Sequence, residues 1–184
     1  MSAVVRRPVA SGAVVALGCC LLLVRRSLLH ASSDPIVAAA VLFTVLGVVG
    51  ALWPVPVVRR ATAQVCWCAL AVGVAVFAAG RLIGGGHRPA VPTGTVLLLN
   101  SMAAISEELF FRRLVQGVLA RRGAVIAAAG SALLFAAVHV PIYGFWVLPL
   151  DLGAGALLAW QRTATGTWTV PAVTHVLANL LVVI

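Results

Sequence analysis

Residues 93–119 read TGTVLLLNSMAAISEELFFRRLVQGVL, an apolar run interrupted at its middle by Ser106, Glu107, Glu108, Arg112 and Arg113. A bilayer core about 30 Å thick takes about 20 apolar residues per helix, so this run is long enough to cross one. An ionisable side chain at mid-membrane costs on the order of 2.5–3.5 kcal/mol on insertion scales, and an apolar sequence keeps one there only where it has a partner or a task. Two of the chain's four acids stand side by side in this run. It therefore predicts a membrane-spanning helix with a polar centre.

The rest of the chain repeats the pattern. Of 184 residues, 62% are apolar and 9% charged, with a mean hydropathy of +1.13; an ordinary soluble domain carries roughly 25% charged residues. Too few polar residues remain to cover a water-soluble surface, which excludes a soluble enzyme, a disordered tail and a coiled coil. Gly, Pro and charge breaks delimit further apolar runs at 9–24, 36–53, 61–83, 124–140, 145–160 and 170–184. The expected fold is all-α, a polytopic transmembrane bundle of about seven helices. Residues 1–90 carry no motif, and residues 91–184 form the candidate catalytic core of a single membrane domain.

The formal charge of +9 does not indicate nucleic acid, because all thirteen cations are arginines placed mainly between apolar runs. There they meet lipid headgroups and set orientation. Arg25-Arg26 closes the first run in this reading. With the N-terminus in the cytoplasm, Arg6, Arg7, Arg59, Arg60, Arg121, Arg122 and Arg162 lie inside, against Arg25, Arg26, Arg81 and Arg88 outside. That distribution favours a multi-pass protein of the cell membrane with its N-terminus inside. The basic start and the first run read as a retained anchor and not as a cleaved leader. Cys19-Cys20 and Cys66-x-Cys68 fit neither a disulfide framework nor a spaced zinc motif, and read as packing or lipid-facing residues.

Polar groups elsewhere are few. The run 124–140 carries His139, and the run 170–184 carries His175 and Asn179. Glu108 and Arg112 are four apart on one helix face and can form an ion pair that lowers the cost of burying both. Glu107 lies about 100° round the helix, without that partner, and is the candidate base. Thirteen residues separate Glu108 from Arg121 and seventeen separate Arg122 from His139, about 20 and 26 Å of helix at 1.5 Å per residue. An antiparallel hairpin thus sets Glu107 and His139 at similar depth. Phe135 shares a face with His139, and His175 with Asn179.

Such a set suits a hydrolase without a covalent nucleophile: a base activates water, a second group holds it and donors stabilise an oxyanion. Glu107, His139 and His175 equally meet the count of a three-ligand zinc site with an open position. Other classes use the same groups as the ion relay of a small transporter, or as the binding surface of a non-catalytic scaffold or immunity factor. The chain lacks the paired halves with matching broken helices of many transporters.

Glu107-Glu108-x-x-x-Arg112, Phe135-x-x-x-His139 and His175-x-x-x-Asn179, in this order, resemble the three motifs of the CPBP family, the intramembrane CAAX-type and bacteriocin-processing (Abi) proteases. The stretch from Asp151 through Gly155, Thr165-Gly166-Thr167-Trp168 and Pro171 is similar to that family's lead into its last motif. The resemblance covers about residues 97–181. It implies a peptide or protein substrate in the lipid bilayer, Glu107 activating water, His139 holding it, and Glu108 and Arg112 in support. It also implies that His175 and Asn179 stabilise the oxyanion. The metal question stays open within the resemblance, and the chain is about one helix shorter than the family's common eight.

Overall fold

The computed structural model describes residues 8–83 and 93–183. The expected boundary at 90/91 lies outside these residues, as do Arg6, Arg7, the Gly84-Gly85-Gly86 break, His87 and Arg88. Among the described residues all regular structure is helical, in seven rods: α1 (Pro8–Ala31), α2 (Pro35–Leu52), α3 (Ala63–Ile83), a composite rod, a kinked segment, α8 (Leu148–Thr165) and α9 (Thr169–Val183). The composite rod Gly94–Arg122 joins α4 (Gly94–Glu108), a π-helical turn (Leu109–Val115), α5 (Gln116–Leu119) and a 3-10 turn. The kinked segment Ala124–Tyr143 comprises α6 (Ala124–Ala137) and α7 (Val140–Tyr143). Five of the seven are long and apolar enough to cross a membrane. The molecule is a helical membrane bundle.

Local chemistry sets the ends. Asp34 caps α2, its Oδ1 accepting from the amides of Ile36 and Val37 at 3.0 and 3.1 Å, with Pro35 in the first turn where no amide is needed. Thr93 caps α4 through the amide of Val96. Arg113 donates to the carbonyls of Gly50 and Trp53 and closes α2. Its guanidinium is engaged at a helix end, away from the candidate site.

Three expectations are corrected. α1 does not stop at Arg25-Arg26 but runs to Ala31, because arginine is a good helix former and no glycine or proline intervenes. Arg25 is buried, not at the headgroups. Arg162 likewise lies in the last turn of α8, buried, with Nε donating to the carbonyl of Arg112. Pro141 does not end its segment, because it falls in the first turn of α7, where proline is tolerated.

In hydrocarbon, apolar burial gives helices little reason to associate; close backbone approach and interhelical hydrogen bonds do so. Gly50 of α2 lies so close to the π-turn that a Cβ there would fall 2.6 Å from the carbonyl carbon of Leu109. Gln161 of α8 donates to the carbonyl of Ala69 in α3 and to Thr174 in α9, at 2.8 and 2.9 Å. Gln116 bonds α8 at Ala159 and Thr163. The apolar core of Leu22, Leu46, Phe110, Phe111, Leu114 and Phe135 sits between α1, α2, the π-turn and α6, directly beneath the polar residues.

Candidate active site

The π-turn begins immediately after Glu108, and the amide of Gln116 reaches back five residues to the carbonyl of Phe111. A π-turn leaves backbone carbonyls imperfectly paired and recurs at functional sites. Here side chains add further bonds: Ser131 of α6 donates to the carbonyl of Phe111 at 2.9 Å, beside the amide of Gln116, and Arg162 to that of Arg112 at 3.2 Å. The motif-bearing rod is thereby tied to α6 and α8.

Arg112 is fully buried, its Nε 3.1 Å from Oε2 of Glu108 and its Nη1 donating to Ser131 at 2.8 Å. The Glu108 contact brings the charges together off-axis, as an ion pair and not an aligned hydrogen bond. The guanidinium also stands 5.0 Å from the centre of the Phe135 ring, a cation–π distance. Oε1 of Glu108 accepts from Nδ1 of His175 at 3.0 Å. Glu108 and Arg112 thus lie behind the site and join α4, α6 and α9.

His139 is set by a helix end. Its own amide bonds the carbonyl of Ala136, which leaves the Phe135 carbonyl to Nδ1 of the ring at 2.7 Å. A carbonyl only accepts, so Nδ1 carries the hydrogen and Nε2 keeps its lone pair. Nε2 stands 3.9 Å from Oε2 of Glu107. Phe135 is the packing centre, with ring centroids 4.6 Å from His139, 5.7 Å from His175 and 5.4 Å from Phe111.

Glu107, His139, His175 and Asn179 line one cavity of about 560 Å³. A second cavity of about 490 Å³ adjoins it, sharing His139, His175, Asn100, Asn179 and Tyr143. Asn179 donates from Nδ2 to the carbonyl of Asn100 at 3.3 Å and keeps a second N–H. The structure therefore brings the sequence-predicted residues together, four on the cavity wall and two behind it.

Glu107 differs from expectation in one respect: it has a cationic partner, Arg25 of α1, whose Nη1 lies 2.8 Å from its Oε1. Two further neighbours went unassigned in the sequence. Asp151, in the first turn of α8, places Oδ2 3.8 Å from Nδ1 of His139. Tyr143 stacks on the His139 ring at 6.0 Å and 9°. Their only sequence signals were an acid in an apolar run and an aromatic four residues after His139.

Glu107, His139 and His175 share the cavity wall but are not drawn together as a three-ligand cluster. Among the described residues no group of three His, Cys, Asp or Glu is arranged to hold an ion.

An all-helical membrane bundle with an acid, two imidazoles and an amide around one open cavity belongs to the polytopic proteins whose polar residues gather between the helices. Residues 89–181, half of the chain, match the family of type II CAAX prenyl endopeptidase Rce1-like proteins, and the chain belongs to that family. At the level of class it is a CAAX-type intramembrane protease. No curated protein and no solved structure matches the chain.

Proposed function

We propose that the chain is an intramembrane endopeptidase that hydrolyses a peptide bond with a water activated by Glu107. The observation that carries this reading is the 3.9 Å separation of Glu107 Oε2 and His139 Nε2 on the wall of a cavity that also holds His175 and Asn179. The separation is too long for a hydrogen bond and suits one water donating to both acceptors. Such a water spends both hydrogens on the protein and turns its lone pairs to the substrate.

Attack forms the bond from the water oxygen to the scissile carbonyl carbon while Glu107 takes the proton. Asn179, through its second N–H, and His175, through Nε2 when its ring carries a second proton, donate to the oxyanion. The carbon–nitrogen bond then breaks and Glu107 returns the proton to the departing amine. Glu108 fixes the His175 ring from behind, and Arg112 balances the charge of Glu108. These roles use the chain's own side chains and one water.

The test is purified protein in detergent with a peptide library. Glu107→Gln, nearly isosteric, is expected to lower kcat per folded molecule by about 10⁴-fold, the upper range for a general base, and also to lower the melting temperature, because it leaves the buried Arg25 guanidinium without its counter-charge. Turnover surviving in that variant would assign the base elsewhere. Ion uptake into liposomes without cleavage would replace the reading by a relay.

A further inference from the structure

Arg25 stands outside the family-matched residues 89–181 and was read in the sequence as a headgroup cation. Its side chain is nonetheless 7% exposed, against 6% for that of Glu107, with 2.8 Å between Nη1 and Oε1. A guanidinium turned inward from a membrane-spanning helix needs a reason, given what burial of an unpaired charge costs. We propose that Arg25 is a positioning residue for the water-activating carboxylate: it holds Oε1 of Glu107 so that Oε2 is the oxygen presented to His139. The inference rests on the reading of Glu107 as the base.

Three contacts set α1 for this role. Gly18 has no side chain where the Phe110 ring presses against the helix; a Cβ there would collide with Phe110. About two turns further on, Arg25 reaches Glu107. The next residue, Arg26, donates from Nη1 to the carbonyl of Pro141 at 3.3 Å. Pro141 lies two residues beyond His139 in the chain. One helix of the motif-free half thus grips both the rod that carries the acid and the turn that follows the imidazole. The planar guanidinium donates in a fixed direction, so it selects one oxygen and one carboxylate plane, which a flexible ammonium does less well. The chemistry at Oε2 is unobstructed, because the Arg25 bond is made to the other oxygen.

The experiment compares the full-length native protein, Arg25→Gln, Arg25→Ala, Arg25→Lys and Glu107→Gln in detergent with one peptide substrate. Arg25→Gln is expected to lower kcat per folded molecule by about 10²-fold, the cost of a catalytic group misplaced by about 1 Å, with KM unchanged. Added guanidinium ion is expected to raise kcat of Arg25→Ala saturably. Unchanged kcat in folded Arg25→Gln, or a loss confined to KM, overturns the proposal: the first makes Arg25 a strut, the second a substrate contact. If the neutral variants do not fold, Arg25→Lys decides, with kcat about tenfold below native at unchanged KM expected and native kcat overturning it. Activity in Glu107→Gln would bring down the underlying assignment. A dead Glu107→Gln beside a fully active Arg25→Gln would bring down this inference alone.

Discussion

α3 buries 11% of its membrane window inside the protein and α1 17%, whereas the rod Gly94–Arg122 buries 33% and the segment Ala124–Tyr143 39%. Both halves of the chain are apolar, so hydropathy alone does not separate them. The separation comes from what each helix has to satisfy. α4, α6, α8 and α9 share buried Glu108, Arg112, Ser131, Gln161, Thr174 and His175, and every one of these must find a partner on another helix. α1 and α2 share the apolar core through Leu22 and Leu46, and the polar ties of α1, α2 and α3 to the rest include an arginine on Glu107, carbonyls of α2 on Arg113, a carbonyl of Ala69 on Gln161 and Arg81 on the carbonyl of Leu181. In a bilayer, where lipid competes equally for apolar faces, the half with most of the buried polar groups is the half whose interior is fixed chiefly by hydrogen bonds and ion pairs.

The hardest challenge to that contrast is to remove a polar group from the second half. Arg112→Met leaves Glu108 buried without its guanidinium, held only by the hydrogen bond from His175, and is expected to cost about 3 kcal/mol of stability, read from melting in detergent. A loss below about 1 kcal/mol would mean that the ion pair does not organise the core. Glu108→Gln together with Arg112→Met is expected to recover most of the loss, because no unpaired charge remains.

Next comes Asn179, which bonds one carbonyl and otherwise faces the cavity. Asn179→Ala is expected to lower kcat by about 10²–10³-fold, the range for removing one oxyanion donor, and to leave the melting temperature near native. The two variants therefore divide the second half into residues that hold the site and residues that use it. An unchanged kcat would take Asn179 out of the second group.

Much of this was open to reading in the sequence, for a physical reason. Charge in an oily run is costly, so Glu107, Glu108, Arg112, His139 and His175 stand out, and helical geometry then sets depth and face. Glu108 with Arg112 and Glu107 with His139 follow from spacing alone. What escaped were contacts distant along the chain. Arg25 sits 82 residues from Glu107, and a cation near a helix end reads the same whether it snorkels to lipid or turns inward. The clue available was the absence of a helix breaker between Arg26 and Asp34. Arg162 escaped likewise, since its partner is a backbone carbonyl within the π-turn, and nothing in residues 109–115 announces that turn.

The smallest effects test the first half, at two glycines that look alike in sequence. Gly50 in α2 has Leu109 backbone atoms at 2.6 and 2.8 Å from where a Cβ would sit. Backbone cannot move aside as a flexible side chain can, so Gly50→Ala forces α2 from the π-turn and is expected to cost about 1–3 kcal/mol. Gly80 in α3 has nothing within 4 Å of the same position. There Gly80→Ala meets only open space and removes a flexible residue from a helix interior, which is expected to add about 0.5–1 kcal/mol. Opposite signs in paired melting curves would fit a backbone packed closely at Gly50 of α2 and an open face at Gly80 of α3. Equal losses at both glycines would mean that α3 is packed along its length, and that the contrast between the halves is one of chemistry alone.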